Sequence, residues 1–160
     1  MRVLPFLLLA LAPTVGAADC QPEPDAATRA LNAVRAQAQA CGVPVPPLRW
    51  HAVLEASAQR YAQELAARDK LDHVSASGAT LRTRLREAGY LTRVSGENLA
   101  GGPETLDEAL AQWLASPGHC ENLMGADFEE FGLACVSGSG KLQRYWVLQL
   151  GAPTKSSRGR

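Results

Sequence analysis

The chain has 160 residues, with 16 basic and 16 acidic side chains, so its formal net charge at neutral pH is zero. This balance gives no electrostatic basis for binding nucleic acid or an anionic membrane surface, and we expect neither partner. The length is sufficient for one domain with its own hydrophobic core.

Residues 1–18 have the layout of a secretory signal peptide. A basic residue precedes an apolar run over residues 3–12, and small residues lead up to Ala18. The run is too short to span a bilayer. We therefore expect cleavage near Ala18 and export to the periplasm or the extracellular space. The mature protein would be a monomeric domain over residues 19–152 without a membrane span, followed by a disordered tail at 153–160.

All four cysteines follow the predicted cleavage point. An even number of cysteines in an exported chain predicts two disulfides. Among the three connectivities, we favour pairing by sequence proximity, which joins Cys20 to Cys41 and Cys120 to Cys135. A zinc site is the competing use of these cysteines, but the sequence has no C-x-x-C pair to support it.

The hydrophobic periodicity predicts helices over about residues 24–42, 51–68 and 80–88. A fourth helix is expected to begin at Thr105, because Thr105 and Glu108 have the spacing of a capping box. These helices account for most of the first two thirds of the mature chain.

After residue 127 the period changes from helical to alternating. The stretch "FEEFGLACVSGSGKLQRYWVLQLG" predicts two strands around a glycine-rich turn. The segment "SGSGK" is interpreted as that turn, because no helix begins after Lys141 as a phosphate loop would require. Both faces of the strands carry apolar residues, so helices should cover the sheet on both sides. The predicted fold is therefore α+β, a three-layer α-β-α sandwich with a small antiparallel sheet between helices.

Three ionisable residues in predicted loops are candidates for a site. They are His73 in "LDHVSASG", Glu97 in "SGENLAGG" and His119 in "SPGHCENL". Ionisable groups on loops held by a rigid scaffold are often functional. The spacing alone also allows a structural role for each: a surface histidine, a loop brace and a packed helix residue, respectively.

The ordered motifs "LDHVSASG", "SGENLAGG", "WLASPGHCENLM" and "YWVLQLG" resemble a bacterial member of the CAP superfamily. This family comprises cysteine-rich secretory proteins, antigen 5 and pathogenesis-related proteins, and its domain is also called the SCP domain. The resemblance covers about residues 28–151. It implies the α-β-α sandwich and an extracellular or periplasmic location.

The resemblance also implies a central cleft lined by two histidines and two acidic residues. His73, Glu97 and His119 match three of these positions. The fourth position, three residues after Trp113, is Ser116 instead of the glutamate of the eukaryotic pattern. The missing carboxylate weakens any acid–base mechanism that needs two of them. The functions attributed to members of this family are sterol or lipid binding, divalent-metal binding and, for a few, proteolysis.

Three functions follow from these residues. The first is a binding module whose cleft holds a small apolar, lipid-like ligand or a divalent metal such as zinc, with His73 and His119 as metal ligands. The second is a metal-dependent hydrolase or peptidase that uses both histidines, with Glu97 as the base. A version with Ser116 as nucleophile lacks the G-x-S-x-G motif, so no residue is assigned as catalytic. The third is an extracellular interaction protein.

Overall fold

The computed structural model describes residues 20–154, so the predicted signal peptide and residues 155–160 of the predicted tail lie outside the described residues. The elements of this part of the chain are α1 (Pro24–Arg35), β1 (Arg49–Trp50), α2 (Ala52–Arg68), α3 (Leu81–Glu87), β2 (Thr92–Gly101), α4 (Leu106–Leu114), α5 (Pro117–Leu123), β3 (Glu130–Ser137) and β4 (Arg144–Pro153). The four strands form one sheet with the order β1-β3-β4-β2. The pair β1–β3 is parallel, and the pairs β3–β4 and β4–β2 are antiparallel.

Each face of the sheet supports its own apolar layer, as the composition of both strand faces predicts. On one face, α2 packs against Leu99, Tyr145 and Val147. On the other face, α1 and α4 pack against a cluster that includes Trp146 and Leu148. The predicted α-β-α sandwich is therefore confirmed. No helix among residues 20–154 combines the length and apolar character that a membrane crossing needs.

The first turn of α2 lies directly against the backbone of β3. A Cβ atom added at Gly132 would be 2.0 Å from the backbone nitrogen of Glu55 and 2.2 Å from the carbonyl carbon of Leu54. Such distances are far below van der Waals contact, so a side chain at this position is incompatible with the packing. Gly132 therefore sets how closely the helix approaches the sheet.

The number of disulfides is as predicted, but the pairing by sequence proximity is wrong. The bonds join Cys20 to Cys135 and Cys41 to Cys120. The segment before α1 lies along β3, where the side-chain amide of Gln21 donates to the carbonyl of Leu133 and accepts from the backbone N–H of Cys135. This contact brings Cys20 to the strand and away from Cys41.

The first helix is seven residues shorter than the predicted range, which extended to Gly42. Arg35 ends α1 fully buried, and its guanidinium donates to the backbone carbonyls of Pro46, Leu123 and Gly125. A continued helix would carry the chain away from these carbonyls. Instead, the chain turns after α1, and Cys41 reaches Cys120 of α5.

Strand β2 was not predicted, because its sequence does not alternate regularly and contains two glycines. It is an edge strand that pairs with β4 alone. Gly96 is required there by packing, since a Cβ atom at this position would lie 2.8 Å from the ring of Phe128. The predicted loop position of Glu97 is therefore wrong, because Glu97 is a strand residue.

Candidate functional site

Glu97 is a buried carboxylate with a hydrogen-bond partner on each oxygen. Its side chain is only 2% exposed. Its Oε1 lies 3.0 Å from Nδ1 of His73, and its Oε2 accepts from Arg84 at 2.5 Å and from Nε2 of Gln149 at 3.2 Å. These contacts bring β2, β4, α3 and the loop that carries His73 together around one charged group.

Arg84 balances this charge from α3. Its guanidinium carbon lies 3.4 Å from the centroid of the Tyr61 ring, a cation–π contact. Burial raises the pKa of Tyr61 to about 12, so its hydroxyl remains protonated at neutral pH. Arg84 and Tyr61 were not identified from the sequence. The signal was present, since Arg84 lies in the helix predicted at about residues 80–88, three residues after Leu81 and four before Ala88, and therefore shares a helix face with these two apolar residues.

The loop that carries His73 is fixed by three contacts. The hydroxyl of Tyr61 donates to the backbone carbonyl of Asp72. The carboxylate of Asp72 accepts from the backbone N–H of Val74 at 3.0 Å. Arg84 donates to the carbonyl of His73 at 3.0 Å. The backbone on both sides of the histidine is therefore held in place, although its side chain is 57% exposed.

The contact with Glu97 fixes the orientation of the His73 ring. Because the carboxylate accepts a hydrogen bond, the proton of the neutral ring lies on Nδ1 and Nε2 is the atom with a free lone pair. The same hydrogen bond raises the pKa of His73 above its ordinary value of 6.5. In many metalloproteins a carboxylate that does not itself touch the metal orients a metal-binding histidine in this way.

His119 is half-buried and lies in the first turn of α5, and not in a loop as predicted. Its backbone carbonyl accepts from the side chain of Asn98 at 2.9 Å. Asn122 donates in turn to Oδ1 of Asn98 and to the carbonyl of Glu97, at 2.9 and 3.2 Å. Asn98 and Asn122 thus dock α5 on the edge strand β2 beside Glu97. Both residues belong to the sequence motifs above, but the sequence alone indicated no role for them.

The charge of His73 affects the pKa of His119. Burial lowers the pKa of His119 below 6.5, and the positive charge of protonated His73 lowers it further. His119 is therefore neutral at neutral pH, with a lone pair available. We refer to His73 and His119, with Glu97 beneath His73, as the histidine site.

Ser116 occupies the N-cap position of α5, and Pro117 follows in the first turn. The backbone of Ser116 is extended, and no side-chain hydrogen bond caps the helix. Ser116 therefore has the position of a helix cap, but its hydroxyl does not accept a hydrogen bond from a backbone N–H of α5. The side chain of Ser116 is half-buried.

The structure does not provide a three-ligand metal centre. Among residues 20–154, no group of three or more His, Cys, Asp or Glu side chains is arranged to hold a metal ion. Glu97 is unsuited as a ligand because Arg84 and Gln149 already donate to its Oε2. Within the described residues, the histidine site therefore offers two imidazoles as candidate ligands, and Glu97 orients one of them.

A sequence profile of the CAP family, described as "Cysteine-rich secretory protein family", matches residues 28–150 of this chain. A protein of Bacillus subtilis (strain 168) called "Uncharacterized protein YkwD" is 30% identical over 94 residues, which is 58% of this chain and 37% of that protein.

Two solved structures share the fold. An extracellular protein containing an SCP domain from Bacillus anthracis str. Ames is 23% identical, with a TM-score of 0.66 over 79% of this chain and 39% of that one. An outer surface protein from Borrelia burgdorferi is 21% identical, with a TM-score of 0.68 over 85% of this chain and 99% of that one. This chain thus spans less than half of the two Bacillus relatives. With a family match over residues 28–150 and the α-β-α sandwich of its bacterial SCP-domain neighbours, the chain belongs to the CAP family of cysteine-rich secretory proteins.

Proposed function

We propose that this chain is an exported CAP-domain binding protein whose histidine site binds a divalent transition metal ion through His73 and His119. The observation that carries the proposal is the hydrogen bond between Nδ1 of His73 and Glu97. It leaves Nε2 of an exposed, oriented imidazole free to bind. A second imidazole, His119, lies within electrostatic range of His73, and burial and the charge of His73 lower its pKa. Neutral imidazoles suit zinc and copper.

The metal site is an open one. Two protein ligands leave coordination positions for water or for a donor atom of another molecule. A metal ion bound there would supply a Lewis acid that polarises a bound oxygen. Glu97 orients His73, and Arg84 compensates the charge of Glu97. We expect weaker binding than at zinc sites with three or four protein ligands.

The hydrolase alternative is less well supported. A general base must have a free oxygen within reach of the proton that it removes. Glu97 is nearly buried, and Arg84 donates to its Oε2 at 2.5 Å. Gln149 donates to the same oxygen, and His73 occupies Oε1, so neither carboxylate oxygen is free to take a proton from a substrate.

An apolar ligand is also less well supported. A cavity of about 530 Å³ lies near the site, between α2 and α3, and charged and hydroxyl side chains line it. This lining favours polar ligands over a lipid chain.

The interaction-protein alternative would be favoured by exposed aromatic side chains. Phe128 and Phe131 are instead buried, so they offer no such surface.

Isothermal titration calorimetry with zinc chloride tests the metal proposal on the exported chain. We expect one-to-one binding that is lost in the His73→Ala/His119→Ala double variant and weakened in each single variant. His51→Asn is the matched control, because His51 lies at the N-cap of α2 and asparagine preserves its capping acceptor. Equal zinc binding by the parent chain and the double variant would refute the proposal.

Export to the periplasm or the extracellular space is part of the same proposal. It is supported by the signal-peptide layout of residues 1–18 and by the two disulfides, which persist in oxidising compartments. The test is cell fractionation of the expressed chain with N-terminal sequencing of the product. A cytoplasmic product that retains Met1 would contradict this part.

A further inference from the structure

A cavity of about 530 Å³ separates α2 from α3. The two helices form its walls, and the loop after His73 closes one end. The histidines and Glu97 do not line it, whereas Arg84, the ion-pair partner of Glu97, does, so the cavity adjoins the histidine site. Its volume is within the range of pockets that bind small molecules, about 300–1,000 Å³.

The deep part of the cavity carries hydroxyl groups. Ser57 on α2 is 3% exposed and Ser75 in the loop is 7% exposed, and both line it. Oγ of Ser75 accepts from the backbone N–H of Ala79 at 3.1 Å and lies 2.7 Å from Oγ of Ser77. The hydroxyls are therefore partly organised by the protein and present polar atoms to an occupant.

Four charged residues line the cavity, and two of them already have partners within the protein. Glu64 accepts from Arg68 at 3.0 Å and from the backbone N–H of Ala76 at 2.6 Å. Arg84 is paired with Glu97. These two charges are compensated and are not free to bind an ionic ligand.

The other two charged residues are Arg60 on α2 and Glu87 on α3. Both side chains are exposed. In the part of the chain that the structure describes, neither forms an ion pair, and the two do not pair with each other. The cavity thus presents one uncompensated positive charge and one uncompensated negative charge on different walls. A simple anion would be repelled by Glu87, and a simple cation by Arg60.

We propose that the α2–α3 cavity binds a small zwitterion, an amino acid or short peptide with free ends, whose carboxylate pairs with Arg60 and whose ammonium pairs with Glu87. The seryl hydroxyls hydrogen-bond the backbone of this ligand. The binding is independent of a metal ion at the histidine site, so the two proposals succeed or fail separately.

The test uses the dipeptide alanyl-alanine as the probe and ¹⁵N-labelled exported chain for NMR titration. We expect shifts of the amide signals of residues 75–79 and of the facing turns of α2 and α3. Acetylation of the amino end or amidation of the carboxyl end removes one charge, and each should weaken binding about two- to fivefold, the value of one solvent-exposed ion pair. A form blocked at both ends should bind more weakly still.

Variants assign the two ends of the ligand. Arg60→Gln should weaken the binding of alanyl-alanine about two- to fivefold and should not weaken that of the carboxyl-amidated form further. Glu87→Gln should weaken the binding of alanyl-alanine by the same factor and should not weaken that of the amino-acetylated form further. Arg82→Gln is the matched control, since Arg82 is an exposed arginine of α3 outside this cavity. The His73→Ala/His119→Ala variant should bind the dipeptide as the parent does. Absence of shifts with alanyl-alanine, or equal binding of the doubly blocked form, would overturn the proposal.

Discussion

Arg84 and Glu97 form a nearly buried ion pair that joins α3 to strand β2. The nitrogen and oxygen are 2.5 Å apart, and the side chains are 10% and 2% exposed. Because Glu97 is almost completely buried, removal of the arginine leaves a buried carboxylate without its compensating charge. The histidine site is therefore built on an interaction whose loss also affects the fold.

The Arg84→Met variant should be destabilised by about 3–5 kcal/mol, the usual cost of breaking a buried ion pair from one side. Urea unfolding followed by circular dichroism measures the change. Arg82→Met is the control on the same helix, and its exposed side chain predicts a change within about 0.5 kcal/mol. If both variants have the same free energy of unfolding, Glu97 is compensated by another group.

The pKa of His73 should lie above the ordinary histidine value of 6.5, and the pKa of His119 should lie below it. For His73 the raised pKa means that its stabilising contribution is complete below pH 6.5 and is lost as the pH rises through the folded-state pKa. For His119 the lowered pKa means that its contribution is present above pH 6.5 and is lost as the pH falls through the folded-state pKa.

NMR of the imidazole signals in metal-free protein measures both pKa values. In the His73→Ala variant, the pKa of His119 should rise, because the neighbouring positive charge is gone, and it should stay below 6.5, because burial is the larger cause. A pKa of His119 above that of His73 in the parent chain would contradict the predicted arrangement of the site.

The close approach of α2 to β3 predicts a large effect of one methyl group. Gly132→Ala places a Cβ atom 2.0 Å from the backbone nitrogen of Glu55, so helix and strand must separate. We expect a loss of about 3 kcal/mol or more in the free energy of unfolding. Gly118→Ala in α5 is the matched control, since no atom lies within 4 Å of its added Cβ. Its stability should change by less than about 1 kcal/mol. Equal effects of the two substitutions would show that the contact at Gly132 relaxes easily.

Non-reducing proteolysis and mass spectrometry should recover peptides that join Cys20 to Cys135 and Cys41 to Cys120. The Cys41→Ala/Cys120→Ala variant lacks the disulfide that joins two residues 79 positions apart. The chain-entropy treatment predicts that the free energy of unfolding falls by about 4.5 kcal/mol. Recovery of a peptide that joins Cys20 to Cys41 would contradict this connectivity.

Much of the fold was predictable because periodicity reports which side of an element is buried. The alternation in β3 and β4 predicted two apolar faces, and Leu133 and Ala134 do lie in opposite layers. The hydroxyl of Thr105 caps α4 by accepting from the backbone N–H of Glu108 at 3.2 Å, as its spacing predicts. The second half of that capping box differs, since the carboxylate of Glu108 accepts from the N–H of Glu104 instead of Thr105.

What the sequence could not provide was long-range pairing. The Cys20–Cys135 bond forms because the segment around Gln21 lies along β3. The spacing of the cysteines does not indicate that contact. Strand β2 has its irregular pattern because Glu97 and Asn98 point to opposite faces and each is held by polar partners. Tertiary hydrogen bonds, and not alternation of apolar residues, stabilise that strand, and they become visible only when α3, α5 and β4 are assembled around it.

The connectivity of the disulfides has a consequence for how the chain acquires them. The bonds are nested, with the pair Cys41–Cys120 inside the pair Cys20–Cys135. A chain that crosses a membrane with its N-terminus first presents Cys20 and Cys41 to oxidants well before their true partners arrive. Rapid oxidation would therefore join the wrong two cysteines, and only thiol–disulfide exchange would release them. The yield of native protein in an oxidising compartment should accordingly depend on an isomerase that reshuffles bonds, and not on an oxidant alone.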